Sequence, residues 1–269
     1  MAESARMNTG AGGFTATLRG AAGSLRLPPV ELAFPPLALV LWALSLEQIS
    51  VEGMNDLGLV SVLPVLFFAA FAVLTLGFVL ALRRGEVASF AALLHIGALL
   101  VILFGTTSIV EEAPRFAATW KHIGITEYIM RTEQLDTRLD AYFSWPGAFI
   151  LAALLTELAG ADSPAALATW ASLVFNALYL LPLILIFRSI VADARAQWFG
   201  IWLFYLGNWI GQDYFAPQAL DYLLYLSVLA VVLHWFPRPP NPEASRFRSW
   251  FAGHMQRFPR LAARLETST

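Results

Sequence analysis

Two adjacent carboxylates, Glu111 and Glu112, follow directly after a long apolar run, and they are the residues best placed to do chemistry. The C-terminal end of a helix carries partial negative charge, so two exposed acids there cost about 0.3–1 kcal/mol each. Folding does not require a pair of carboxylates at this position. Arg115, Lys121 and His122 follow closely, near enough to hold a phosphate beside a carboxylate. The alternative is a set of interfacial charges that contact lipid headgroups.

A second polar cluster lies in the short connection GNWIGQDYFAPQAL between two apolar runs. Several side-chain amides beside a carboxylate are unusual for a bare connector, although a tight turn capped by Asp213 is the alternative. Asp221 lies one turn into the last apolar run, where a carboxylate is costly and indicates function. Asn176 and His95, inside other runs, are explained by hydrogen bonds between helices. The cluster contains Asn208, Gln212, Asp213, Tyr214 and Gln218.

Several classes of site are excluded by what the sequence lacks. No Walker loop, dinucleotide-binding glycine motif, zinc-protease motif or nucleophile elbow occurs. The four histidines are scattered and the chain has no cysteine, so no metal site is predicted, and disulfides and thiolate catalysis are excluded. A net charge of −2 gives no indication of a nucleic-acid partner.

The apolar runs predict an all-α, polytopic membrane helix bundle. Of the 269 residues, 58% are hydrophobic and 13% are charged, against about 25% charged in soluble domains. Crossing the hydrocarbon core takes about 20 mostly apolar residues. About six runs qualify as spans: 28–47, 57–82, 88–110, 165–187, 196–211 and 217–236.

Two of these spans and one shorter run have features that bear on how they cross the membrane. The second span contains Pro64, which membrane helices tolerate when neighbouring groups satisfy the freed carbonyl. The fifth span is short, so its ends are expected among the headgroups. The run 146–159 is shorter still and carries Glu157, which favours a juxtamembrane helix on the outer face over a crossing.

Arginine distribution sets the predicted orientation. Arginines occur in the N-terminal tail, in the loops 83–87 and 188–195 and in the C-terminal tail, and are absent from 48–56. The positive-inside rule then places both termini in the cytoplasm, provided that 146–159 does not cross. The predicted regions are a flexible cytoplasmic tail (1–26), a transmembrane domain (27–236) with an outer loop (111–164), and a basic cytoplasmic tail (237–269). Phe116, Trp120 and Ile123 have helical spacing, which predicts a helix lying on the membrane surface in that loop.

The acidic pair after an outward-going span, with the Pro-Arg-aromatic and Lys-His-Ile-Gly sequences behind it, resembles the GT-C glycosyltransferases. These are membrane enzymes that use polyprenyl-phosphate sugars. Trp-Pro-Gly-Ala-Phe at 145–149 is similar to the start of their juxtamembrane helix, and Phe187-Arg188-Ser189-Ile190 to their cytoplasmic helix ending. The run GNWIGQDYFAPQAL is similar to an outer turn of actinobacterial members. The resemblance covers about 105–236.

The resemblance implies a transferase in the cell membrane that moves a sugar from a polyprenyl-phosphate donor on the outer face. The family's catalytic carboxylate would correspond to Glu111 or Glu112, acting as general base on an acceptor hydroxyl. Arg115, Lys121 or a divalent metal ion would stabilise the leaving phosphate. No organic cofactor is expected. The substrate-binding residues predicted on this basis are Arg115, Lys121, His122, Gln212, Asp213 and Gln218.

The chain also departs from the family pattern, which leaves other functions open. Family members usually have more spans, and many have one span, not two, before the acidic loop. The chain therefore resembles a natural short form, a fragment of a longer enzyme such as its N-terminal part, or a remnant without activity. The alternatives are a non-catalytic scaffold or subunit that works with a further membrane protein, and a small transporter. A transporter is disfavoured because no internal repeat is evident in the sequence.

The predicted topology can be tested by cysteine labelling, since the chain has no cysteine of its own. Cysteines introduced by Thr137→Cys and Ser163→Cys are expected to react with an impermeant thiol reagent in intact cells, because residues 111–164 are outside. A cysteine introduced by Ser245→Cys should react only after the cells are opened. Labelling of Ser245→Cys in intact cells would contradict the six-span topology.

Overall fold

A computed structural model describes residues 30–84, 89–111, 113–114, 116–208 and 213–236, and every regular element in these ranges is helical. The helix Ser89–Val110 contains a π-helical segment at Val101–Gly105. Short 3₁₀ turns occupy Val30–Ala33, Val51–Gly53, Leu59–Val62 and Ala141–Ser144. In chain order the α-helices are α1 (Phe34–Leu46), α2 (Val65–Arg83), α3 (Ser89–Val110), α4 (Ala117–Thr132), α5 (Gly147–Leu158), α6 (Ala165–Ile190), α7 (Ala194–Gly207) and α8 (Pro217–Trp235).

Four of these helices, α2, α3, α6 and α8, are long and apolar enough to span a membrane. They correspond to the predicted spans 57–82, 88–110, 165–187 and 217–236. The segments predicted as the first and fifth spans form α1, of 13 residues, and α7, of 14 residues. Both are shorter than the roughly 20 residues that a full crossing takes. The count of six spans is therefore not confirmed.

Pro64 does not lie inside a helix, which corrects the predicted course of the second span. Helix α2 begins at Val65, and Pro64 precedes it with extended backbone angles of φ −73° and ψ 161°. Proline has no N–H to donate and its ring collides with the preceding turn, so it is suited to the position just before a helix. The residues before it, Leu59–Val62, form only a 3₁₀ turn.

The segment between α3 and α6 contains two helices, as the sequence predicts. Helix α5, Gly147–Leu158, corresponds to the predicted juxtamembrane helix 146–159. The three residues of the predicted apolar stripe in and before α4 differ in exposure. Phe116 and Trp120 are exposed, whereas Ile123 is buried. The buried face is formed by Thr119, His122, Ile123, Ile125 and Thr126.

The chain folds as two compact units, one of which ends at Ile102. In this unit α1 packs against α2. Arg84, just after α2, forms a 2.7 Å ion pair with Glu31, just before α1. The start of α1 therefore lies beside the end of α2, so the two helices are antiparallel. Glu31 is only 4% exposed, and an unpaired charge at that depth would cost several kcal/mol, on the order of the values for broken buried pairs.

The second unit begins at Leu103. Here α6 packs against both α7 and α8, and α4 packs against α5. Two buried tyrosines fix the helix contacts through their hydroxyls. Tyr205 of α7 donates to the Asn176 carbonyl at 2.8 Å, and Tyr179 of α6 donates to the Ala219 carbonyl at 2.9 Å. The buried residues Ile125, Phe143 and Phe149 hold α4 and α5 together.

The contact between α1 and α2 depends on the absence of a side chain at Gly77. A Cβ atom there would overlap the side chain of Phe34 and approach His95 Nε2 to 2.8 Å. We expect Gly77→Ala to destabilise the protein by about 1–3 kcal/mol, the usual cost of overpacking. Thermal unfolding in detergent, monitored by tryptophan fluorescence, would measure this loss of stability.

Gly97→Ala is the matched control. A Cβ atom at Gly97 meets no other atom within 4 Å, so this variant should be as stable as the parent or slightly more stable. Equal melting temperatures for the two variants would contradict the close approach at Gly77.

Candidate functional site

A cavity of about 260 Å³ in the second unit brings together the ends of several helices. It is lined by residues at the end of α3, the start of α6, the end of α7 and the turn before α8. Ser108 of α3 donates a 2.7 Å hydrogen bond to the Thr169 carbonyl of α6, which ties two of these ends together. The polar lining residues are Thr107, Ser108, Glu111, Thr119, Thr169, Ser172, Asn208, Asp213 and Tyr214.

Glu111 and Asp213 line this cavity together, although they are far apart in the chain. Glu111 comes directly after α3, where the backbone turns to an extended conformation with φ −105° and ψ 125°. Asp213 lies in the short turn that precedes Pro217, the first residue of α8. Two of the predicted site residues are thus brought to one cavity, and their predicted roles remain predictions.

Asp213 is held by a hydrogen-bonded network centred on Asn176. The Asn176 Nδ2 donates to Asp213 Oδ2 at 2.6 Å and to the Ser172 carbonyl at 2.8 Å. Its Oδ1 accepts from Asn208 Nδ2 at 3.1 Å. Asn176 is fully buried, so this network satisfies an amide that would otherwise be costly in an apolar helix. The sequence interpretation of Asn176 as a helix-packing residue therefore missed its contact with the site.

Burial raises the pKa of Asp213, and the hydrogen bond from Asn176 partly opposes this because it stabilises the carboxylate. A carboxyl group with a raised pKa is closer to the range in which it can exchange a proton near neutral pH. Asp213 is therefore a candidate for proton transfer as well as for binding.

Lys121, predicted to bind substrate, pairs with a neighbouring carboxylate. Its Nζ lies 2.8 Å from Asp140 Oδ2 and 4.8 Å from the centre of the Tyr142 ring. The hydrogen bond with Asp140 raises the pKa of Lys121 and lowers that of Asp140. Asp140 also accepts from the Tyr142 N–H and so begins the 3₁₀ turn Ala141–Ser144. This pair connects α4 to the following turn, and Lys121 is not among the residues that line the cavity.

His122 is buried, being only 1% exposed, and does not line the cavity either. Its Nδ1 is 2.8 Å from the Phe215 carbonyl, which can only accept, so Nδ1 carries the proton. Its ring stacks on Tyr214 at 6.1 Å. Burial lowers the pKa of His122, which keeps the imidazole neutral. His122 therefore holds the turn that carries Asp213 in place and does not reach the cavity.

The remaining predicted residues divide between a second pocket and the part of the chain that the structure does not describe. Gln218 lines a pocket of about 330 Å³ that shares Asp213 and Asn208 with the first cavity. Glu112, Arg115 and Gln212 lie outside the described residues. Within the described ranges, no group of three or more His, Asp or Glu side chains could hold a metal ion.

An apolar groove of about 490 Å³ lies next to the turn at 213–216. It runs between α5, α6 and α8, and every residue that lines it is apolar. Phe215 and Ala216 line the groove, whereas Asp213 and Tyr214, directly before them, line the polar cavity. One four-residue turn thus separates a polar cavity from an apolar groove.

No protein-family model, no curated protein and no solved structure shows a significant match to this chain.

The network predicts how Asp213 titrates. We expect the Asp213 carboxyl to have a pKa above the ordinary aspartate value of 3.8, since burial penalises its charged form. Asn176→Leu removes the amide donor and should raise the Asp213 pKa further. Carbon-13 NMR of labelled aspartate carboxyls, in protein reconstituted into nanodiscs and assigned with Asp213→Asn, would measure both values.

Asp136 is the internal control for that experiment. Its pKa is lowered by the hydrogen bond from Arg138, which does not involve Asn176, so it should not change in Asn176→Leu. An Asp213 pKa at or below 3.8 in the parent protein would contradict the burial argument.

Proposed function

We propose that this protein is a GT-C-like membrane glycosyltransferase, or the N-terminal part of one, that takes a sugar from a polyprenyl-phosphate donor at the outer face of the membrane. The observation that carries the proposal is the turn 213–216, which has a polar cavity at its first two residues and an apolar groove at its last two. A lipid-linked sugar has the same division, with a polar head and a long apolar tail. The cavity would take the head and the groove would take part of the tail.

The carboxylates of the cavity supply the acid–base chemistry that such a transfer needs. In the proposed step, the acceptor hydroxyl oxygen forms a bond to the anomeric carbon of the donor sugar. The bond between that carbon and the phosphate oxygen breaks, and its electron pair leaves with the lipid phosphate. The hydroxyl proton passes to the Glu111 carboxylate, which acts as general base. The transition state has oxocarbenium character.

The leaving phosphate needs positive charge, and Arg115 is the proposed source. It lies in the chain between Pro114 and Phe116, two residues that line the cavity. Lys121 is a weaker candidate than the sequence predicts, because it is paired with Asp140. Arginine also suits this role chemically, since its planar guanidinium can donate two hydrogen bonds to one phosphate.

The proposal is tested by replacing the base without changing its shape. Membranes that contain the protein would be supplied with a radiolabelled polyprenyl-phosphate sugar, and the release of polyprenyl phosphate would be measured. We expect Glu111→Gln to lower the rate by about 100-fold or more, the usual contribution of a general base, while expression and membrane insertion stay unchanged.

Two further carboxylate-to-amide changes sharpen the test. Glu157→Gln alters an exposed residue of α5 and should leave the rate unchanged. Glu112→Gln examines the neighbour that the sequence could not distinguish from Glu111. Loss of activity in Glu112→Gln alone would contradict the assignment of the base to Glu111. No release in the parent membranes would favour the scaffold or subunit role.

A further inference from the structure

The first half of α8 carries a polar and aromatic face that the proposed donor site does not use. Gln218, Asp221, Tyr222 and Tyr225 are spaced at i, i+3, i+4 and i+7, which places them along one side of the helix. Together with Tyr179, they line the pocket of about 330 Å³ that shares Asp213 and Asn208 with the first cavity. This volume falls within the range of about 300–1,000 Å³ that is usual for small-molecule sites.

The exposure of this face is unexpected for a helix long and apolar enough to cross a membrane. Asp221 is exposed and Tyr225 is 62% exposed. A carboxylate that faces hydrocarbon without a polar partner is costly, so such residues usually face a cavity, a partner or a ligand. The position of Asp221 beside a pocket indicates a polar ligand.

The chemistry of the pocket limits what that ligand can be. The lining residues include two carboxylates, Asp213 and Asp221, and no basic side chain among those described. A phosphate or carboxylate ligand would be repelled. The lining therefore favours a ligand that is uncharged, or one that is positively charged.

The tyrosines favour an uncharged ligand with a ring. Tyr222 and Tyr225 are nearly parallel, with their ring centres 6.3 Å apart, and Tyr179 meets Tyr222 edge-on at 5.2 Å. A quaternary ammonium would need rings that enclose it as a cage, whereas these rings contact one another in a row. A row of rings suits the C–H face of a sugar, while carboxylates and amides accept and donate hydrogen bonds with its hydroxyls.

We propose that this pocket binds a neutral carbohydrate and that this carbohydrate is the acceptor of the transfer. The acceptor role rests on the proposed function, whereas the binding itself does not. Asp213 and Asn208 belong to both cavities, so a sugar bound along α8 can extend its reacting hydroxyl past Asp213 toward Glu111. The bonds made and broken are those of the transfer step given above.

Saturation-transfer NMR on the full chain in nanodiscs made of sugar-free lipids tests the binding. The probes are the methyl glycosides of a neutral hexose and of a neutral pentose, with glucose 6-phosphate and tetramethylammonium as charged comparisons. We expect a methyl glycoside to bind, and its apparent affinity to fall about tenfold or more in Asp221→Asn and in Tyr225→Ala, since each loses a direct contact. Both residues are exposed, so their replacement should not unfold α8.

Matched controls alter residues of the same kind away from the pocket. Leu224→Ala changes a side chain of α8 that is 54% exposed, and Asp162→Asn removes an exposed carboxylate elsewhere. Both should bind the glycoside like the parent. Absence of glycoside binding, equal binding by Asp221→Asn and Tyr225→Ala, or tighter binding of either charged probe would overturn the proposal.

The binding test and the transfer test can fail independently of each other. Glu111→Gln should keep the affinity for the glycoside, because Glu111 does not line this pocket. Glycoside binding without any release of polyprenyl phosphate would leave the carbohydrate site intact and remove only its role as acceptor site.

Discussion

The hydrogen bond between the Asn176 amide and the Asp213 carboxylate determines where the polar cavity can form. Asn176 lies well inside α6, an otherwise apolar helix, and its buried amide must find partners within the protein. It finds them at the end of α7 and in the turn before α8. A single buried side chain thereby fixes the end of α7 and the turn before α8 relative to α6. Glu111 reaches the same cavity because Ser108 ties the end of α3 to the start of α6.

The turn 213–216 is held from two directions. Asn176 binds its first residue, and His122 of α4 binds the carbonyl of Phe215. The helix that carries His122 is itself anchored by the Lys121–Asp140 pair and by the apolar contacts of Phe143 and its neighbours. Lys121, His122 and Asp140 therefore act on the site by positioning the turn that carries Asp213. A rigid turn is what keeps a polar cavity and an apolar groove apart over only four residues.

The sequence predicts the elements whose signals are local. The membrane-length helices α2, α3, α6 and α8 follow from apolar run length, and α5 follows from a run too short to cross. Helix α1 is shorter than the predicted span because the residues before it, Val30–Ala33, form a 3₁₀ turn, which hydropathy does not distinguish from an α-helix, whereas α7 ends at Gly207. The residues of α4 that are buried within the protein include polar ones such as Thr119 and Thr126, which hydropathy does not predict.

The site could be predicted only in part, because its contacts join distant parts of the chain. The acidic residue after α3 and the polar turn before α8 are visible as departures from apolar runs. The pairing of Lys121 with Asp140, and of Asn176 with Asp213, has no local signature. An isolated amide inside an apolar helix was the one signal that could have pointed to the network, and it is equally consistent with ordinary helix packing.

The position of Asn176 also constrains how the protein enters the membrane during synthesis. Helix α6 is made before α7 and α8, so its central amide has no partner from those helices when it first leaves the ribosome. Until the later helices arrive, the side chain of Asn176 can reach only the Ser172 carbonyl of its own helix, so part of its hydrogen-bonding capacity stays unsatisfied among lipid chains. Tyr205 of α7 then reaches the Asn176 carbonyl, and the turn before α8 brings Asp213 to its amide. The same bonds that define the cavity would therefore make the three helices a single unit of biogenesis.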